Sequence, residues 1–283
     1  MRAGRDSAPV FVEEGEVLSH REYPGGQYRL RLRTPRCAAA ARPGSFVHLR
    51  CGSELLQRRP LSIMLADADE GWIELLYKTG GQGLTLLSGA EPGSVLHSMG
   101  PIGHGFSLSE ARPIVLLLGG GVGIPPVLFQ ARRLAGNGNW SPRLFLGSEL
   151  PFPFALEKHG KQNRLRLAEQ WGVPSHLASN AGLEGCHRGN LTEPAREWLD
   201  ALPRERLSEV AVYACGPTPM LKAAAELAAD FGVYAELCLE EYMACAVGGC
   251  AGCTVEAHTP DGLAMKRVCV DGPVFPATWI YPS

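Results

Sequence analysis

The sequence predicts an α+β multidomain chain: an antiparallel β-barrel, then an α/β domain on a parallel sheet, then a small C-terminal module. Three observations carry this reading. Short alternating apolar runs, separated by turn signals, fill residues 9–108. Continuous apolar runs, each followed by a helical stretch, fill residues 109–234. The last stretch, 235–283, is too short for an independent core and carries four cysteines.

In the first region the runs VFVEEGEVLSH, QYRLRLRT, SFVHLRC, LSIMLA, WIELLYK and SVLHSMG read as strands. The signals PGG, RPG, ADADEG, TGGQG and EPG separate them. Several short strands at such spacing predict a barrel or sandwich. Arg59-Pro60-Leu61-Ser62 sits at a strand edge, where a planar, permanently charged guanidinium suits a diphosphate. Leu76-Tyr77-Lys78 leads into a glycine loop, and Gly83-Leu84-Thr85 opens a short helix whose free N–H groups suit phosphate. Gly100-Pro101-Ile102-Gly103 closes the region as a turn.

The second region begins with PIVLLL (113–118), a run buried on both faces, and Gly119, Gly120, Gly121 and Gly123 follow it. Glycines there let a dinucleotide approach the backbone at the carboxyl end of a sheet, although the spacing is not G-x-G-x-x-G; a plain glycine-rich turn is the competing reading. IPPVLFQARRLAG reads as a helix, RLFLG as a strand, 154–171 as helical, and VPSHLA as a strand. LTEPAREWLDAL reads as a helix with Thr192 as its N-cap. EVAVYACG and TPMLKAAAELAADFG form the last strand–helix pair, joined by Cys215-Gly216-Pro217. Two strand–loop–helix junctions at one sheet edge define one crevice. The sequence leaves nucleotide specificity open: Glu149, after RLFLG, offers a carboxylate that would accept ribose hydroxyls and repel a 2′-phosphate, and a plain exposed loop acid is the competing reading.

In the third region Cys245, Cys250 and Cys253 have the spacing C-x4-C-x2-C, and Cys269 follows after fifteen residues. This is the plant-type ligand pattern for a 2Fe–2S cluster. Three thiolates from one segment converge only if a tight loop wraps them, and Gly248, Gly249 and Gly252 permit such a loop. Structural zinc prefers paired cysteines, two and two; only Cys250 and Cys253 make such a pair. Zinc and plain buried thiols remain the alternatives.

The formal net charge of −2 gives no reason to expect a nucleic-acid or anionic-membrane partner. No apolar run is long enough for a transmembrane helix and the N-terminus has no signal-type core, so a cytoplasmic location is expected.

Taken in order, RPLS, the glycine loop, GPIG, GGGVGIPP and CGPTPML resemble the ferredoxin–NADP reductase superfamily. The tail, EEYMAC with its closely spaced cysteines and VCVDGPVF, resembles the electron-transfer subunits of class 1B dihydroorotate dehydrogenases. The resemblance spans residues 10–276. It implies FAD, a 2Fe–2S cluster and NAD(H) as co-substrate. It implies FAD contacts from Arg59, Pro60, Leu61, Ser62, Leu76, Tyr77, Lys78, Gly83, Leu84 and Thr85. It places the cluster on the four cysteines, and the crevice between the two strand–helix junctions offers NAD(H) Gly119, Gly120, Gly121, Gly123, Cys215, Gly216 and Pro217. No catalytic side chain is assigned. It further implies an FMN-containing catalytic partner that oxidises dihydroorotate in pyrimidine (UMP) biosynthesis, in a heterotetramer of two of each subunit. Three departures stand out. Leu84 occupies the usual threonine place, Tyr242 the usual arginine place, and Cys269 lies one residue farther along than expected. Two related readings share the pattern: the small flavin/2Fe–2S subunit of an NADH-dependent ferredoxin–NADP oxidoreductase, or of a cytosolic hydrogenase. A reading of another class is a zinc-stabilised, nucleotide-binding, non-enzymatic module.

Overall fold

The computed structural model describes residues 9–52 and 55–282. Six strands close an antiparallel barrel in the order β1-β2-β5-β4-β3-β6. They are β1 (Phe11–Tyr23), β2 (Gln27–Arg33), β3 (Phe46–Leu49), β4 (Arg59–Asp67), β5 (Trp72–Lys78) and β6 (Val95–Ile102). Alternation decides what fills it: Val17, Leu30, Leu32, Val47, Leu49, Leu61, Ile63, Ile73 and Leu75 form one buried cluster. A short helix, α1 (Pro35–Ala40), adds Cys37 and Ala38 to that cluster. A second, α2 (Gly81–Leu87), begins inside the glycine loop, earlier than LTLLSGA suggests. Pro101 and Ile102 belong to β6, so the turn expected at 100–103 comes at Gly103, where φ is +90°.

The chain then builds a seven-stranded sheet. Its first elements are β7 (Ile114–Gly120), α3 (Ile124–Leu134) and β8 (Ser141–Gly147). The expected helix over 154–171 is instead a hairpin, β9 (Leu156–His159) and β10 (Gln162–Leu165), followed by the single turn α4 (Arg166–Gln170). Gly160 at φ +63° makes the reversal, a backbone region that favours glycine. Then come β11 (Ser175–Ser179), β12 (His187–Arg188), α5 (Thr192–Asp200), β13 (Val210–Cys215), α6 (Thr218–Phe231) and β14 (Tyr234–Cys238). Thr192 is the first residue of α5, Leu191 holds the N-cap position, and no side chain caps that end. The sheet order is β12-β11-β8-β7-β13-β14-β17, parallel except at its last strand. One face packs on α3 and α4 and takes in Met64 and Leu76 from the barrel. The other packs on α5 and α6 through Leu199, Leu221, Leu227 and their neighbours.

The C-terminal stretch is the cysteine loop, the hairpin β15 (Thr254–Thr259) and β16 (Gly262–Arg267), the turn α7 (Val268–Asp271), β17 (Val274–Pro276) and α8 (Ala277–Ile280). β17 returns to pair antiparallel with β14, Leu237 opposite Phe275. The sheet therefore runs on through residue 238 and takes back residues 274–276.

Candidate electron-transfer site

Three groups of predicted residues occupy three neighbouring surfaces. The first is the outer face of the barrel at β4 and β5. Leu61 and Ile63 point inward, so the alternate residues Pro60 and Ser62 face out. Arg59 leaves the strand end beside α2. A Cβ added at Gly83 would stand 2.9 Å from its Nε, so the guanidinium lies flat on that glycine. The Thr85 hydroxyl donates to the Gly81 carbonyl at 3.0 Å, and the Leu84 side chain packs on the barrel core. Tyr77 turns inward. It is 1% exposed, stacks on Tyr28 and bonds His20 Nε2 at 2.8 Å. Only its main chain faces the outer surface, whereas Leu76 packs toward the sheet and Lys78 is exposed.

The second surface is the carboxyl edge of the parallel sheet, where the two glycine-bearing junctions meet. A Cβ on Gly123 would lie 2.5 Å from the Cys215 carbonyl oxygen and the Gly216 nitrogen. One on Gly120 would lie 2.6 Å from Met220 Sδ and 3.2 Å from Pro217. Gly119 is equally close to Val127. Glycine is therefore required for packing at these positions, and Gly121 carries the positive φ that turns the loop. A cavity of about 550 Å³ opens there, lined by Gly120, Gly121, Gly147, Glu149, Pro217 and Met220 among others. Cys215 is fully buried behind Gly216, in register with Cys238 on β14. A hydrogen bond with Cys238 and burial push its thiol well above the ordinary range, so it is a neutral, packed side chain.

The third surface is the cysteine loop. Ala246 and Ala251 adopt φ of 56° and 54°, conformations that strain residues other than glycine and concentrate at functional sites. The loop aims main-chain N–H groups at sulfur: Cys250 N lies 3.4 Å from Cys245 Sγ, and Gly252 N 3.4 Å from Cys250 Sγ. Hydrogen bonds from the main chain at Val247 and Cys250 bring the Cys245 thiol down to about 7. Burial, then the neighbouring Cys253, pushes Cys269 up to about 12. Arg267 closes the loop, donating to the Gly248 carbonyl at 2.9 Å.

This donor set suits an iron–sulfur cluster. It has four thiols, two buried and two nearer the surface, with N–H groups directed at sulfur as cluster ligation requires. Among the described residues, no group of three or more His, Cys, Asp or Glu side chains is gathered tightly enough for a single metal ion.

Sequence reasoning missed what lies between the first and third surfaces. Strand β3 pairs with β4, Phe46 opposite Ser62 and His48 opposite Pro60. Phe46 points outward and belongs to one buried cluster with Met243, Ala246, Cys253 and Cys269. His48 is 1% exposed, and its ring nitrogens make no hydrogen bond of normal geometry. Burial and the nearby Arg58 lower its pKa, so the ring is neutral. Alternation along SFVHL gave a faint signal for this outward pair.

Barrel, nucleotide-type sheet edge and cluster loop together define an oxidoreductase of the ferredoxin-reductase type. The profile of the "Iron-sulfur cluster binding domain of dihydroorotate dehydrogenase B" matches residues 240–280. The dihydroorotate dehydrogenase B (NAD(+)) electron transfer subunit of Geobacillus thermodenitrificans (strain NG80-2) is 35% identical over 271 residues, 94% of this chain and 96% of that one. Its counterpart in Shouchella clausii (strain KSM-K16) is 32% identical over 264 residues, 92% and 94% of the two chains. Among solved structures, the NADH-dependent reduced ferredoxin-NADP oxidoreductase superposes with a TM-score of 0.77 at 25% identity, covering 95% of this chain and 90% of that one. The ferredoxin reductase of carbazole 1,9a-dioxygenase reaches 0.62 at 22% identity, over 80% and 67%. The chain belongs to the family of dihydroorotate dehydrogenase B electron transfer subunits. Among the described residues, no helix is long and apolar enough to cross a membrane.

Proposed function

We propose that the chain carries electrons between NADH and an FMN-containing, dihydroorotate-oxidising subunit, by way of FAD and a 2Fe–2S cluster, in pyrimidine (UMP) biosynthesis. We assign the FAD to the 9–108 barrel, NAD(H) to 109–234 and the cluster to 235–283. The observation that carries the reading is adjacency. Strand β3 pairs with the RPLS strand, and its Phe46 belongs to one buried cluster with Met243, Ala246, Cys253 and Cys269 of the cysteine module.

The protein's own part is holding and shielding. Arg59, laid on Gly83, offers a fixed cation to a diphosphate, and the outward Pro60 and Ser62 give a ring system a surface and a hydroxyl. Gly120, Gly216 and Pro217 bring a nicotinamide coenzyme to the sheet edge beside that surface. Main-chain N–H groups directed at Cys245 and Cys250, and burial of Cys253 and Cys269, set the environment of the thiolates. The flavin supplies conversion between hydride and single-electron transfer when bound. On this reading the partner docks as two of each subunit, and dihydroorotate has no pocket on this chain.

The test is anaerobic purification with flavin, iron and sulfide quantified, then NADH oxidation with ferricyanide and with the catalytic subunit. One FAD with about two irons and two sulfides per chain is expected. So are ferricyanide reduction by the chain alone and dihydroorotate-linked NAD⁺ reduction only with the partner. A colourless protein with one zinc would overturn the reading.

A further inference from the structure

The barrel meets the cysteine module through an apolar cluster. Phe46 and Ile102 belong to it from the barrel, with Met243, Ala246, Cys253 and Cys269 from the module, and Met99 packs against it. On β3, Val47 and Leu49 point into the barrel, so Phe46 and His48 point out. Met99 on β6 is the cross-strand partner of His48 and shares its face of the sheet. His48 is therefore a polar ring beside an apolar contact. It is buried, and among the described residues neither ring nitrogen has a hydrogen bond of normal geometry. A neutral imidazole carries one N–H donor and one acceptor. Leaving them unpaired in a buried place is costly, and native folds keep few such groups without a use for them.

The groups around the ring indicate that use. Towards β4 lie the cations of Arg58 and Arg59, which act with burial to keep the ring uncharged. Arg58 is committed to the strands: Nη1 donates to the His97 carbonyl at 2.7 Å and to the His48 carbonyl at 3.3 Å, and Nη2 donates to His97 Nδ1 at 2.8 Å. Arg59 is the cation assigned above to the flavin diphosphate. Towards the module lies the main chain of Met243, placed to accept from the ring and so to favour its proton; the Arg58 main chain acts in the same sense. Met243 stands two positions before Cys245. The ring thus lies between the strand that carries RPLS and the start of the cysteine loop.

We propose that His48 is a positioning residue for electron transfer: its ring N–H, given to the Met243 carbonyl, fixes the start of the cysteine loop on the strand that pairs with RPLS. The inference rests on the FAD and 2Fe–2S reading given above. Apolar contact is non-directional and lets packed surfaces slide, whereas a directed hydrogen bond sets one register. At each transfer one electron leaves the reduced flavin and one enters the cluster, a step whose rate depends steeply on their separation. A slide at Met243 therefore slows that step and leaves hydride delivery at the sheet edge as it was.

The test mixes the anaerobic holo-subunit with NADH in native, H48F, H48N and H48Q forms. Flavin bleaching reads hydride delivery, and electron paramagnetic resonance of freeze-quenched samples reads the reduced cluster. In H48F, at native flavin, iron and sulfide content, bleaching is expected within about twofold of native and cluster reduction slower by about tenfold. Asparagine and glutamine place an amide N–H near the positions of Nδ1 and Nε2, and one of the two should recover most of the rate. A readout independent of turnover is amide exchange in the oxidised chain, where residues 243–246 should exchange about fivefold faster in H48F, the fold-change of one lost hydrogen bond. Cluster reduction in H48F within about twofold of native, or equal slowing in all three variants, overturns the inference. So does loss of cofactor from both H48F and the smaller H48L, which would make the ring a requirement of folding. A native protein that holds no flavin or cluster, or whose cluster stays oxidised with NADH, would instead overturn the reading on which the inference rests.

Discussion

At the scale of single residues, which atom faces a cofactor depends on strand phase rather than on motif membership. Tyr77 lies in the Leu76-Tyr77-Lys78 motif, yet its ring is inside the barrel. His20 Nδ1 must donate to the Ala90 carbonyl at 2.7 Å, because a carbonyl only accepts; in the neutral ring Nε2 then accepts from the Tyr77 hydroxyl. Burial, with Tyr28 beside it, raises the Tyr77 pKa far beyond the ordinary phenol range, so the hydroxyl stays protonated as the donor. Tyr77→Phe should therefore lower unfolding stability by about 1 kcal/mol, the net value of one buried hydrogen bond, and leave FAD content and the flavin spectrum as they are. Chemical denaturation paired with flavin quantification checks this. Loss of flavin without loss of stability would place the side chain on the outer face.

At the scale of elements, the crevice where we propose that the coenzyme binds exists because two strand–helix junctions touch. The β7–α3 junction reaches the β13–α6 junction through Gly123, which leaves no room for a methyl group against Cys215 and Gly216. Gly123→Ala must push the junctions apart. The KM for NADH is expected to rise more than about tenfold, since misplacement by an ångström costs much of a binding geometry. Flavin and iron content should hold, because the barrel and the cysteine loop lie elsewhere. Stopped-flow reduction by NADH would show it, and an unchanged rate would mean the coenzyme sits away from this contact. Much of this was legible in sequence. The barrel strands declare themselves by alternation, and β7 and β13 by unbroken apolar runs. The β9–β10 hairpin did not, because LEKH and QNRL are short, polar and largely exposed, with no period to read. Nor did β17, whose three residues gain their strand character only by pairing with β14. The hydrogen bond from Gln27 to the Pro151 carbonyl joins residues 124 positions apart, a long-range contact that no local pattern encodes.

At the scale of the whole molecule, the cysteine module is attached to both larger parts and has little core of its own. Its buried residues Met243, Ala246, Cys253 and Cys269 share one cluster with Phe46 and Ile102 of the barrel and with Phe275 of the sheet's last strand. His104 N donates to the Gly272 carbonyl at 2.6 Å and Leu239 N to the Pro273 carbonyl at 2.9 Å, so both ends of the module are tied down. The span between them depends on four thiols that repel one another when ionised and are joined only through metal. The barrel core and the two sheet cores contain none of the four cysteines that would hold the cluster. Chelating the iron should consequently loosen residues 240–272 alone. Amide exchange there is expected to quicken by about tenfold or more, while β7, β13 and the barrel strands keep their protection and the flavin stays bound. Hydrogen-exchange mass spectrometry on the iron-depleted chain reads both effects at once. Uniform protection would mean that the module folds on its apolar contacts alone, and loss across the whole chain would mean that the cluster stabilises the barrel and sheet as well.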